Sequence, residues 1–454
     1  MGLIMQTLEQ LRNGELAGIQ RLQLACGLTE FPTEIFTLAD SLEILDLSGN
    51  RLSSLHDDLP RLKKLRIIFC SDNQFTELPK VLGSCSQLSM VGFKANRIQT
   101  VPAESLPAKL RWLILTDNRI EALPPELGQC FQLQKLMLAG NSLRALPDTL
   151  ANCTRLELLR IAANQLTELP LWLLSMPRLS WLAFAGNPFT EALETLALNN
   201  TPASAIPWDA LTLRGKLGEG ASGIIHHADH HVGDEDHQDV AVKLFKGAVT
   251  SDGLPHCEMA ACITAGNHPH LIPIHGKVID HPEGTLGLVM ALIDRGFANL
   301  AGPPSLDSCT RDVYSTDARF TPETGLGIAC GIASAARHLH ERGIMHGDLY
   351  GHNILHCAQG RAFIGDFGAA SFYQVADRIT ANALERLEVR AFGYLLEELI
   401  ERIDHDLLPE AVKKQLTDLI LACLSDIPAK RPLFTEIDQC MAGLRLQDRH
   451  QPMQ

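Results

Sequence analysis

The sequence predicts an α/β solenoid of short parallel strands joined to a second domain of the α+β class. Three observations carry this reading. Self-similarity with a period of 22–23 residues runs from Ile19 to Leu193. Beyond it, Leu217-Gly218-Glu219-Gly220-Ala221-Ser222-Gly223-Ile224-Ile225 places a G-x-G-x-x-G pattern between strand-type residues, and Val240-Ala241-Val242-Lys243 follows at hairpin distance. Asp348, with Asn353 five positions on and then Asp366-Phe367-Gly368, completes the set. At 454 residues, 46% hydrophobic and 20% charged, the chain has room for two or three domains with separate cores.

The repeat units start at Ile19, Leu42, Leu65, Leu88, Leu110, Leu133, Leu156 and Leu179, and each reads close to L-x-x-L-x-L-x-x-N-x-L-x-x-L-P-x-x-L. This pattern resembles the leucine-rich repeat family over about 175 residues. The resemblance implies a continuous core of inward leucines. It also implies a buried ladder of Asn50, Asn73, Asn96, Asn118, Asn141, Asn164 and Asn187 bonding backbone where the chain turns. Gly27 breaks the ladder in the first repeat, as a terminal cap does.

Alternation along each strand points the residues between inward leucines at the concave face. One column there reads Ile44, Ile67, Met90, Trp112, Lys135, Leu158, Trp181, and the next Asp46, Phe69, Gly92, Ile114, Met137, Arg160, Ala183. A solvated sheet face is polar, so Ile44, Ile67, Phe69, Met90, Trp112, Ile114, Met137, Leu158 and Trp181 form a candidate partner surface. The occupant is an external protein partner, the chain's own second domain or a second copy; unremarkable apolar positions are the plain alternative.

The formal charge of −14 is uneven, about −2 over residues 1–200 and about −12 over 201–454. An acidic second half argues against nucleic acid or an anionic membrane as partner. No run of about 18 apolar residues marks a membrane span. The N-terminus lacks the basic region and apolar core of a secretion signal, and Gln6 stands where myristoylation at Gly2 needs Ser or Thr. The twelve cysteines show no CxxC pair or zinc spacing. Cys85, Cys130 and Cys153 share a repeat position that Leu62, Ala108 and Met176 fill elsewhere, which makes them packing residues. A reduced, cytoplasmic protein is expected.

The loop glycines let backbone amides approach phosphate oxygens. Lys243 can pair the α and β phosphates, with Glu258 on a helical stretch able to hold it. Asp348, the amide of Asn353 and the carboxylate of Asp366 are the groups that phosphoryl transfer from Mg-ATP requires. Together these motifs look like the eukaryotic-type protein kinase family across about 240 residues. The resemblance implies a bilobal α+β fold, with Gly218, Gly220 and Gly223 over ATP, Ile225 and Ala241 above the adenine and Leu355 below it. It implies Met290 as gatekeeper, Ala291 to Ile293 as hinge, a Lys243–Glu258 ion pair, Asp348 as catalytic base, and Asn353 and Asp366 as ligands of Mg2+. His346 and Phe367 become aligning packing residues. Thr321-Pro322-Glu323 reads as a helix start, and Gly343 as that helix's end.

The chain departs from that family in places. Gly347 stands where most members have an Arg that binds an activation-loop phosphate. Tyr350 replaces the Lys or Ala that marks acceptor type. No Ala-Pro-Glu follows Ala369 before Leu387, so the docking segment is short and Arg431 lacks its usual Glu partner. Glu388 stands for Asp at the start of the central helix, and residues 294–320 read as an irregular rim. His226-His227-Ala228-Asp229-His230-His231, with Asp234 to His237, offers metal donors, although a solvated hairpin loop is the plainer reading.

The expected domains are 1–200 (repeats) and 207–448 (kinase-like), with a turn at Asn199-Asn200-Thr201-Pro202. The expected activity is ATP-dependent phosphorylation of a protein hydroxyl, Ser/Thr ahead of Tyr, with the repeats recognising a partner and regulating the site. A kinase-fold scaffold and a small-molecule phosphotransferase are the alternatives. No pattern speaks to oligomeric state.

Overall fold

The computed structural model describes residues 6–200, 204–220, 222–233, 236–247, 249–250 and 252–449. Two compact units divide between Leu173 and Leu174.

The first unit opens with the short helix α1 (Leu8–Arg12), capped by Thr7 and Gln10. Parallel strands follow, one per repeat: β1 (Arg21–Gln23), β2 (Ile44–Asp46), β3 (Ile67–Phe69), β4 (Met90–Gly92), β5 (Trp112–Ile114), β6 (Lys135–Met137) and β7 (Leu158–Arg160). Their register is in phase, Ile44 opposite Ile67, Met90 opposite Trp112. The chain returns through short 3₁₀ turns such as Pro125–Gln129. A period of 22–23 residues allows nothing longer.

The Asn ladder forms. Asn118 Nδ2 donates to Phe93 O (2.9 Å) and Leu115 O (3.0 Å), while its Oδ1 accepts from Ile98 N (2.9 Å). Asn141 repeats this with Leu115, Leu138 and Ile120. The residue before each ladder Asn is left-handed: Gly49, Asp72, Ala95, Asp117, Gly140, Ala163 and Gly186 have φ of 53–73°. The Asn side chain holds a turn that non-glycine residues otherwise resist.

The second unit begins inside the repeats. It contains β8 (Trp181–Ala183) and helix α2 (Glu191–Asn200), so the expected turn at 199–200 is the end of a helix, and Thr201-Pro202 lies outside the described residues. A six-stranded sheet follows, ordered β10-β11-β12-β14-β13-β9, from β9 (Ala205–Pro207), β10 (Leu211–Glu219), β11 (Gly223–His231), β12 (His237–Phe245), β13 (Ile274–Ile279) and β14 (Gly287–Ala291). Val240 and Val242 pack into one core with Ile206, Val278 and Val289. Ala241 packs on the other face with Met259 and Met290. Period-two alternation thus puts Ala241 and Lys243 on the face shared with helix α3 (Pro255–Ala265).

The helical part holds β15 (Ala298–Asn299), α4 (Pro322–Glu341), β16 (Ile344–Met345), β17 (Ile354–His356), β18 (Ala362–Ile364), β19 (Ser371–Phe372), α5 (Arg378–Ile400), α6 (Glu410–Cys423) and α7 (Phe434–Arg449). Thr321 Oγ1 caps α4 by accepting from Thr324 N (3.2 Å), and Gly343 follows its end at φ 69°. Glu388 lies in the middle of α5, not at its start, so the segment between Gly368 and that helix is only residues 369–377. All twelve cysteines are free thiols. Among the described residues no helix is long and apolar enough to cross a membrane.

Candidate active site

A cavity of about 590 Å³ lies between the six-stranded sheet and the helical part of the second unit. Gly218, Gly220, Gly223, Ile225 and Ala241 line it from above, with Met290 and residues 291–293 at the back; Leu355, Asn353 and Asp366 line the floor. A Cβ at Gly218 or Gly220 would meet nothing within 4 Å, whereas one at Gly223 would lie 2.5 Å from Leu244 O. Gly223 therefore serves the hairpin, and the other two keep space open for a ligand.

Helix α3 brings Glu258 to Lys243 in a buried ion pair. Lys243 Nζ is also 3.7 Å from Asp366 Oδ1. Burial disfavours the ammonium, but Glu258 and Asp366 outweigh it and hold the Lys243 pKa above its ordinary value. Burial likewise pushes the Glu258 carboxyl up, against the pull of Lys243 and, more weakly, of the Ser222 side chain. Sequence reading missed Ser222. Its place inside the glycine loop, two residues after Gly220, was the available signal.

Asp348 lies beside the cavity instead of on its lining. Asn353 Nδ2 donates to Asp348 Oδ2 (2.7 Å) and to its backbone carbonyl (2.9 Å), so the two side chains form one constellation. Asp366 has a left-handed backbone, φ 48°, and its Oδ1 accepts from Gly368 N (3.2 Å). Non-glycine residues held there cluster at functional sites. His346 bonds Gly365 O through Nε2 (3.0 Å) and packs on Phe367 at 5.0 Å, tying the two loops together. Glu388, buried, accepts from Gly347 N (2.6 Å), His346 N (3.2 Å) and His340 Nε2 (2.8 Å). Burial works against its charge, but those donors hold its carboxyl below the usual range. It fixes the backbone that carries Asp348. Asp312 grips the same loop, accepting from His352 N (3.0 Å) and lying 2.7 Å from His352 Nδ1. No motif flagged Asp312, which sits in the irregular 294–320 segment.

The residues fit a nucleotide carrying a divalent metal. Lys243 is poised between two carboxylates, Asn353 and Asp366 offer hard oxygen donors, and open glycines face the cavity. Comparisons with known proteins agree. Residues 211–393 match the protein tyrosine and serine/threonine kinase family, and residues 41–62 and 108–166 match leucine-rich repeat families. The chain carries leucine-rich repeats followed by a protein kinase domain. The kinase domain implies ATP and, typically, a divalent metal. A probable LIM domain-containing serine/threonine-protein kinase of Dictyostelium discoideum is 31% identical over 148 residues, 25% of this chain and 15% of that protein. The human dual serine/threonine and tyrosine protein kinase is 27% identical over 214 residues, 39% of this chain and 22% of that one. The serine/threonine-protein kinase PknH of Mycobacterium tuberculosis is 32% identical over 164 residues, 35% and 23%. The chain thus spans less than a quarter of the length of these curated relatives.

Several expectations change. Trp181 is 1% exposed, buried among Leu349, Tyr350 and Tyr394 of the kinase domain, so it offers no surface to an outside partner. Ile67, Met90 and Leu158 are buried too. In the middle of the repeats, Phe69 leans to within 2.5 Å of where a Gly92 Cβ would be, so large side chains close over the missing one. Ile44, Phe69, Trp112, Ile114 and Met137 stay partly exposed, with Lys135 Nζ 4.3 Å over the Trp112 ring. The histidines of 226–231 belong to strand β11, not a loop. His227 bonds Asp239 at 2.6 Å and Asp229 pairs with Arg214, and ligand atoms of His227, Asp229 and Asp239 lie within 4.8 Å of one another; Asp234 lies outside the described residues. Arg431, expected without its usual Glu partner, is 1% exposed and donates instead to backbone carbonyls, Pro177 O (2.6 Å), Arg386 O (2.9 Å) and Ser425 O (2.9 Å).

Proposed function

We propose that this chain is an ATP-dependent protein kinase, transferring the γ-phosphate of Mg-ATP to a protein hydroxyl. One observation carries the reading: the Lys243–Glu258 pair, Asp366 at 3.7 Å from Lys243 and the Asp348–Asn353 constellation surround a single cavity. Asp348 takes the acceptor's proton as its oxygen bonds phosphorus and the bond to the leaving diphosphate oxygen breaks. Lys243 holds the nucleotide's α and β phosphates, and Glu258 holds Lys243. Asn353 and Asp366 would hold Mg2+, which when bound offsets charge on the phosphates. Ser/Thr acceptors are favoured over Tyr because two of the relatives are named serine/threonine kinases and the third is named dual. Free thiols throughout support a reducing, cytoplasmic setting.

Incubation with labelled ATP and candidate protein acceptors tests the assignment. We expect Mg2+-dependent labelling that drops roughly 100-fold or more in Asp348→Ala and in Asp366→Ala. Labelling that survives both substitutions refutes the site. Binding of ATP with no transfer to any acceptor would favour a scaffold, a reading supported by the short 369–377 segment.

For the repeats we propose a protein-docking face built on Ile44, Phe69, Trp112, Ile114 and Met137, supported by their partial exposure and apolar character. Replacing Trp112 and Ile114 with Ala should weaken capture of the protein acceptor by about ten-fold, leaving ATP affinity unchanged. Unaltered capture rejects this surface.

A further inference from the structure

We infer that the eighth repeat is a working part of the catalytic unit, with Trp181 as a positioning residue for the loop that carries Asp348. The inference rests on the kinase reading of that loop.

Trp181 Nε1 donates to Leu349 O at 3.1 Å, fixing the Leu349–Tyr350 peptide plane one residue beyond Asp348. Its ring stacks on Tyr350 at 4.2 Å with 6° between planes, and on Tyr394 at 5.6 Å. An indole that is 1% exposed, with its donor satisfied and both faces covered, has one available orientation. Asp348 is therefore held from two directions, by Asn353 on one side and through Leu349 by Trp181 on the other.

The residues just after β8 hold the next loop. Phe184 N and Ala185 N both donate to Ser371 Oγ, at 2.9 and 3.1 Å. Ser371 sits on β19, directly after Asp366-Phe367-Gly368, and β19 pairs with β16, which leads into His346. A side chain at position 347 would lie 2.6 Å from Leu182 O and 2.6 Å from Ala369 O, and Gly347 has φ 74°. Only glycine lets β8 come this close. Arg431 reaches the end of the preceding repeat at Pro177 O (2.6 Å).

Residues 346–353 and 369–377 are largely irregular, and irregular backbone keeps one geometry only when its surroundings over-determine it. Here those surroundings include Pro177 to Ala185, beside Glu388 and Asp312. Peptide groups, an indole and two carboxylates do the holding, so the catalytic loop is assembled without any added phosphate.

The test uses the full chain with Trp181→Phe, which keeps a stacking ring and loses the donor, and Trp181→Ala, which loses both. We expect kcat to fall about ten-fold in Trp181→Ala and by less in Trp181→Phe, with KM for ATP within about two-fold, since Trp181 does not line the cavity. Amide exchange over 346–353 should quicken in the same order. Unchanged kcat and exchange in both variants overturn the inference. So does a parallel collapse of kcat, ATP affinity and melting temperature, which would make Trp181 a fold-supporting residue only. If wild type transfers no phosphate, the kinase reading fails, while the exchange measurement still judges the positioning role.

Discussion

His268 shows how a single side chain sets pH sensitivity. It lies between α3 and β13, its ring 4.7 Å from His338 and 5.7 Å from His270, and Nε2 is 3.3 Å from Ser334 Oγ. Burial first, then His338, His270, Arg337 and Arg342, push its pKa down to about 4. A base with a depressed pKa favours the fold above its ordinary value, and that contribution is lost as pH falls through the depressed one. We therefore expect His268→Gln to lose less melting temperature than wild type between about pH 6.5 and about pH 4. Equal losses in thermal scans would refute this. At the same scale, Lys243 and Ala241 were legible because strand alternation places them on one face. Glu388 was legible only as an odd residue in a helix. Its bonds to Gly347 N and His346 N come from 41 and 42 residues away and leave no local trace.

Among the elements, the repeats show local pattern and tertiary structure in closest agreement. Each Asn closes a left-handed turn with bonds to its own repeat and its neighbour, so the sequence period and the contact period coincide. Asn118→Ala should cost about 3 kcal/mol, because Ile98 N, Phe93 O and Leu115 O lose a buried partner together. Denaturant titration reads this directly, and a change below about 0.5 kcal/mol would refute the ladder's energetic role. The expectation of a polar loop at 226–231 failed at this scale. A histidine-rich run lacks β propensity, yet the nine-residue pairing of β11 with β12 overrides it. The turn expected over Asn199-Asn200-Thr201-Pro202 does not include Asn199-Asn200, which end helix α2 (Thr201-Pro202 lie outside the described residues); that helix packs on α3, where Cys257 Sγ donates to Glu194 Oε2 (3.5 Å). Burial and that carboxylate both raise the Cys257 thiol's pKa, keeping it a donor.

For the whole molecule, the placing of the boundary has consequences. A fragment beginning at Leu174 keeps the Trp181, Ser371 and Arg431 contacts, whereas one beginning at Ser204 loses all three. We expect the 204–454 fragment to melt about 10 °C or more below the 174–454 fragment, or to aggregate. Equal melting temperatures by calorimetry would place the working boundary near residue 200 after all.

The sequence by itself determined the solenoid, the nucleotide-facing strand and the residue types around the cavity, because each depends on spacing within a few dozen residues. Tertiary structure alone decided where the last repeat belongs. Trp181 and Leu349 are 168 residues apart, and Pro177 and Arg431 254 apart. Periodicity describes which way a side chain points, not what the chain later brings against it. The apolar column that read as an open face is therefore, at its last member, part of a domain core.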